Sequence, residues 1–269
     1  VVPHGPLHDV PFEALPLGDD ELVIEHYSVT YAANAATAPL RPLPPPDRAR
    51  PSLWVADARG DLPGARAEVR DLSRPFSTPT VLTGGAATRT AVLAQLGEAG
   101  AVHLAVHGHP ARGDDPPHLL LAGGERLTAA DLFGQRLDHP LVVLAACDSA
   151  VGTPDRSDEM PTVLPRALLL AGAEAVVGTR WPIDDRSAAR VMTLLYDALP
   201  RVGPEAALAT AQRAMLDSAQ GDAMIALRNS PPCATNRGLR ECVPGERVGF
   251  AHPFHWAGFA LLGATTNPH

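Results

Sequence analysis

Two short stretches carry residue types that do chemistry together. "AVHLAVHGHP", residues 101–110, is an apolar run that ends in His107 and Gly108. "LVVLAACDSAVG", residues 141–152, is an apolar run that ends in Cys147 and Asp148. A cysteine beside a histidine is a nucleophile. The imidazole takes the thiol proton, the thiolate attacks an acyl carbon, and the imidazolium returns the proton to the leaving amine. Gly108 leaves the backbone open beside the histidine, so its N–H and that of Cys147 are candidate donors to the oxyanion of a tetrahedral intermediate. The residues alone leave blander readings open. A cysteine in an apolar run is also a common buried thiol, and a histidine at a strand end also serves as a satisfied polar group.

A metal site is the rival chemistry. His103, His107 and His109 share strand parity and Asp114 and Asp115 follow them, which is a donor set for a zinc metallohydrolase. Against it, Pro110 ends the strand at once and His103 lies deep in the apolar run. Other templates fail on spacing: there is no GxSxG elbow, and no GxGxxG opens a helix after a strand. All 22 basic residues are arginine, which removes P-loop lysines and Schiff-base chemistry.

The elements that must position these residues alternate along the chain. Residues 52–58, 79–84, 101–107, 140–147, 174–181 and 255–263 read as strands, and 118–123 as a short strand before a turn and a helix beginning at "ERLTAADLF". Helices are expected over residues 64–76, 88–100, 161–173, 184–202 and 203–219. Apolar strands separated by helices give an α/β sandwich with a mainly parallel central sheet covered on both faces. In such a sheet, sites form beyond the carboxyl ends of the strands, where His107 and Cys147 both stand. The proline-rich stretch at 39–51 reads as a surface loop, and the polar stretch at 218–250 as a flexible insertion near the last strand.

Composition limits the partners. The net charge of −8 gives no basic footprint for nucleic acid. No apolar run reaches the roughly 18 residues of a membrane span, and no signal peptide opens the chain. Cys147, Cys233 and Cys242 are an odd count without a CxxC pair, which fits free thiols and a cytoplasmic location. The first residue is Val, so a fragment of a longer protein is expected.

The blocks "VHLAVHGHP", "LVVLAACDSAVG", "LPRALLLAGAEAVVGTRWPIDD", "EAALATAQRAML" and "HPFHWAGFALLG", taken in order, resemble CHAT domains, the caspase-like cysteine peptidases related to separases. The resemblance spans nearly the whole chain. It implies a single caspase-like three-layer domain over 1–269 and a cysteine endopeptidase that needs no cofactor. It also implies a protein or peptide substrate and gating by a regulatory region or partner. Carried over residue by residue, it makes His107 and Cys147 the catalytic pair, with Gly108 on the oxyanion side and Gly152 after the nucleophile loop. Asp148, Asp184 and Asp185 become candidates for binding substrate, with a basic side chain suited to the last two. Asp184 reads equally as the cap of the helix that follows it. The alternative from another class is a catalytically silent caspase-like scaffold for protein–protein interaction. Trp181 and Trp256 are read as core.

Overall fold

A computed structural model of the chain describes residues 1–18, 21–35, 38, 41–111, 114–146, 163–217 and 250–263. The strands are β1 (Pro51–Ala56), β2 (Thr78–Thr83), β3 (Ala101–Ala105), β4 (Gly108–His109), β5 (His118–Leu120), β6 (Arg126–Thr128), β7 (Leu141–Leu144), β8 (Ala175–Thr179) and β9 (Phe259–Gly263). The helices are α1 (Val23–His26), α2 (Pro63–Leu72), α3 (Arg89–Leu96), α4 (Ala129–Phe133), α5 (Val163–Ala171), α6 (Asp185–Ala198) and α7 (Pro204–Asp217).

The main sheet runs in the order β2-β1-β3-β7-β8-β9. Every neighbouring pair is parallel except β8 and β9, which are antiparallel. The apolar runs make this arrangement possible. β1, β3, β7 and β8 are covered on both faces, so their sequences show no polar alternation. Alternate residues feed two cores. Trp54, Val143 and Val177 pack with Val69 of α2 and with α6 and α7. Leu53, Val55, Leu104, Leu144 and Val176 pack with Val92 and Leu96 of α3, Leu132 of α4 and Leu168 of α5. The result is the α/β three-layer sandwich expected from the alternation.

Two expectations are corrected. "ERLT" does not begin a helix: Arg126–Thr128 is a strand paired antiparallel with β5, and α4 starts only at Ala129. The turn at Gly123 and Gly124, with φ of 67° and 79°, folds the chain back there, and the Asp131 carboxylate accepts the Thr128 N–H at 2.8 Å to start the helix. With β4 these strands form a separate three-stranded sheet in the order β4-β5-β6. The last strand is also shorter than the apolar pattern suggests. His255 belongs to a 3-10 turn at Pro253–His255, and pairing begins at Phe259.

The proline-rich stretch is described from residue 41 and has no helix before β1. Leu43 is buried, and its N–H donates to Glu205 of α7 at 3.0 Å. A Cβ on Gly203 would stand 1.9 Å from the Leu43 carbonyl oxygen, so the strap and the start of α7 touch backbone to backbone. Gly203→Ala is therefore expected to lower stability by about 1–3 kcal/mol through overpacking, visible as a lower thermal midpoint. An unchanged midpoint would mean that the strap shifts freely. The stretch at 218–250 lies outside the described residues apart from Phe250.

Candidate active site

β3 and β7 are neighbours in the sheet. Leu104 pairs with Leu144, which sets them parallel at an offset of 40 residues. His107 stands three residues beyond Leu104, and Cys147 stands three residues beyond Leu144 in the sequence. Cys147, Asp148 and Gly152 lie outside the described residues, as do Cys233 and Cys242. The described half of the site is the histidine side and the exit of β7 as far as Ala146.

His107 is half-exposed and held by a residue that the sequence reading missed. Its Nε2 lies 2.9 Å from Oδ1 of Asp61. Asp61 sits in the loop after β1, and Asp57 shapes that loop. The Asp57 backbone adopts a left-handed φ of 48°, and its N–H donates to the Ala105 carbonyl at the end of β3. The buried Asp57 carboxylate accepts the Leu62 N–H at 2.7 Å and pairs with the Arg66 guanidinium. Both ends of the loop are thus pinned, and Asp61 faces the histidine. The hydrogen bond from His107 holds the Asp61 carboxyl below its usual range, with Arg59 at 3.6 Å adding to the effect.

Gly108 opens β4. The His107 carbonyl accepts the Leu120 N–H at 2.9 Å, and Gly108 stands opposite Leu119. Hydrogen-bonded and non-bonded pairs alternate along an antiparallel ladder, so the Gly108 N–H points away from β5. That direction suits an oxyanion donor.

The three histidines of the metal reading do not converge. His103 is fully buried beneath α2 and α6, with Nδ1 at 3.0 Å from the Tyr196 hydroxyl and Nε2 at 3.0 Å from Glu68. It stacks on Trp54 at 5.5 Å. His109 stacks on His118 at 5.1 Å in the small sheet. Asp115 pairs with Arg126. Among the described residues, no group of three His, Cys, Asp or Glu side chains is placed to hold a metal ion.

Asp184 caps α6. One oxygen accepts the Ser187 N–H at 3.0 Å, and the other accepts the Ser187 hydroxyl at 2.6 Å and faces His255 Nδ1 at 3.0 Å. Burial pushes its carboxyl up, but the bonds from Ser187 and His255 outweigh burial and hold it below the usual range. Asp185 is exposed in the first turn of α6. Trp256 is fully buried, whereas Trp181 is partly exposed and donates its Nε1–H to the Phe254 carbonyl at 2.9 Å.

The family model described as "CHAT domain" matches residues 1–264. The chain belongs to the CHAT domain family. This CHAT domain is 30% identical over 138 residues to Tetratricopeptide repeat protein 28 of Mus musculus, a match covering 51% of this chain and 4% of that protein's length. Among solved structures it is similar to a chain of the Saccharomyces cerevisiae separase–securin complex, with a TM-score of 0.60 and 13% identity over 95% of this chain and 14% of that one. A second structure of that complex gives a TM-score of 0.53 at 14% identity, covering 82% of this chain and 12% of the other. At these identities the likeness concerns the fold, and the fold of this CHAT domain is caspase-like.

Proposed function

We propose that the chain is a cysteine endopeptidase acting through His107 and Cys147. The supporting observation is the His107–Asp61 pair at the carboxyl end of β3, beside the strand whose sequence runs on into Cys147. With the Nε2–H donated to Asp61, the tautomer leaves Nδ1 to take the thiol proton. The thiolate attacks the scissile carbonyl, and the sulfur–carbon bond forms as the carbonyl becomes an oxyanion facing the N–H groups of Gly108 and Cys147. The imidazolium gives its proton to the departing amine. Water, deprotonated by the same imidazole, then releases the acyl group and regenerates the thiol. No step calls for a cofactor.

The substrate side is assigned to Asp148, Asp184 and Asp185, with a protein or peptide carrying a basic residue before the cut. Because Asp184 is engaged by Ser187 and His255, Asp185 is the more open carboxylate of that pair. Gating by a regulatory partner completes the reading. The match to a protein named for tetratricopeptide repeats favours a second reading, a scaffold that keeps the fold without the chemistry.

Thiol reactivity separates the two. Iodoacetamide near neutral pH is expected to alkylate Cys147 at least tenfold faster than Cys233 or Cys242, because a thiolate reacts and a thiol does not. Asp61→Asn, which removes the charge that orients His107, should slow that labelling severalfold without changing the thermal midpoint. Three equally slow cysteines, read by peptide mass mapping, would favour the scaffold.

A further inference from the structure

The His107–Asp61 contact joins two half-exposed side chains, and the Arg59 guanidinium stands 3.6 Å from the second oxygen of Asp61. A carboxylate in solvent does not hold an imidazole by itself, because water and the guanidinium compete for it. The direction of the contact has to come from the backbone under Asp61. That backbone hangs on Asp57, which follows β1, is 2% exposed and engages all of its polar groups. Its N–H donates to the Ala105 carbonyl at 3.1 Å, at the end of β3. Its carbonyl accepts the N–H groups of Gly60 and Gly84, each at 3.1 Å. Its carboxylate accepts the Leu62 N–H at 2.7 Å with one oxygen and pairs with Arg66 through the other. Asp61 therefore stands between the two residues, Gly60 and Leu62, that Asp57 holds. The left-handed φ of 48° at Asp57 lets its carbonyl and its carboxylate reach the same short loop.

We infer that Asp57 is a positioning residue: by gripping the backbone on either side of Asp61, it aims that carboxylate at Nε2 of His107 and so fixes which ring nitrogen is left to act as base. A carboxylate only accepts hydrogen bonds, so the nitrogen facing Asp61 carries the proton and Nδ1 keeps its lone pair. The assignment deepens the peptidase reading and depends on it for its consequence in catalysis, though not for its geometry. An acid just past an apolar strand otherwise reads as a turn former, so the sequence does not flag it.

The test reads the ring itself. In the full chain labelled with 15N-histidine, at a pH where imidazoles are neutral, the His107 nitrogens should give one protonated and one unprotonated signal, identified by their loss in His107→Ala. Asp57→Gly removes the carboxylate but accepts the left-handed backbone, and should draw the two signals together as the tautomers mix. Asp57→Asn keeps an oxygen for the Leu62 N–H and tolerates the same backbone, and should restore them. Peptide cleavage should follow, with kcat roughly tenfold lower in Asp57→Gly, KM within about twofold, and kcat in Asp57→Asn within about threefold of wild type. A role confined to stability would lower the thermal midpoint of Asp57→Gly and leave the nitrogen signals unmoved, and that result overturns the inference. So does wild-type kcat in Asp57→Gly, or an asparagine variant that loses as much as the glycine variant. If Asp57→Gly does not fold, Gly60→Ala strains the loop from the other side, at a φ of 85° that alanine rarely adopts. It should mix the tautomers as well, and unmoved signals there overturn the inference equally. A wild-type chain that cleaves nothing, with the His107 nitrogens still answering to Asp57, defeats the peptidase reading and leaves the positioning standing.

Discussion

Cys147→Ala and His107→Ala are each expected to lower kcat/KM for peptide cleavage by roughly four orders of magnitude, and the double variant no further. On the proposed peptidase reading, the sulfur and the imidazole act as a unit. Without the base the thiol stays protonated, and without the thiol the base has nothing to activate. What remains in either single variant is binding and oxyanion stabilisation, which the second substitution does not touch. His107 is half-exposed, and its hydrogen bond goes to an Asp61 that is itself in solvent, so its loss should move the thermal midpoint by only a few degrees. The two effects thus separate, with activity gone and the fold retained. The checks are steady-state cleavage of a peptide library and a melt on the same preparations. If either single variant keeps a tenth of wild-type activity, the pair does not carry the reaction. Additive losses in the double variant would instead mean that the two residues act independently.

The sheet was legible because its strands announce themselves. "LWVA", "LVVL" and "AVVGT" are apolar without alternation, which in a chain this size marks strands buried on both faces. The placement of His107 at the end of such a run points to the rim of the sheet. Strand order is a different matter. Nothing local says that β1 lies beside β3, and so nothing in "DARGDLPG" marked Asp61 as the partner of a histidine 46 residues further on. The usable signal was weaker: an acid in the turn that follows a buried parallel strand, on the side of the sheet where sites form.

The small sheet is legible only in its middle strand, read at 118–123; β4 has two residues and β6 three, too few to show a period of two. Shared parity puts His103, His107 and His109 on one strand face, but β3 ends at Ala105 and His109 belongs to β4 of the separate sheet, so only His103 stands on the face of β3. What that face meets is decided by α2 and α6, which bring Glu68 and Tyr196 to both ring nitrogens of His103. Asp184 shows the reverse case: the cap reading followed from local sequence alone, and Ser187 three residues later provides the bonds.

Arg180→Met is expected to destabilise the protein by about 3–5 kcal/mol near pH 8, a fall on the order of 10 °C in the thermal midpoint. Glu13 is buried with its carboxylate against the Arg180 guanidinium, and the Tyr31 hydroxyl donates to its second oxygen. The guanidinium also lies 4.1 Å from the centre of the Tyr31 ring, and Tyr31 pairs with the outer edge of β9. The cluster therefore fastens the N-terminal segment to the end of β8. Burial pushes the Glu13 carboxyl above its ordinary value, and Arg180 is the largest influence pulling it back, followed by Tyr31. A raised native pKa means that the folded protein keeps a proton the unfolded chain has already lost. The stability from this group is full below the ordinary value of 4.5 and declines as pH rises through the native pKa. Removing Arg180 raises the native pKa further and extends that decline upward. The cost of Arg180→Met should accordingly be smaller at pH 5, where Glu13 can take up a proton, than at pH 8, where it is either charged without a partner or protonated at the expense of folding. Adding Glu13→Gln should recover much of the loss at pH 8 and little at pH 5, because the amide keeps an acceptor for Tyr31 and carries no charge. Thermal melts of the three proteins at the two pH values decide it. Equal losses at both, with no recovery in the double variant, would show that packing of the arginine stem, and not the buried charge, is what holds the segment down.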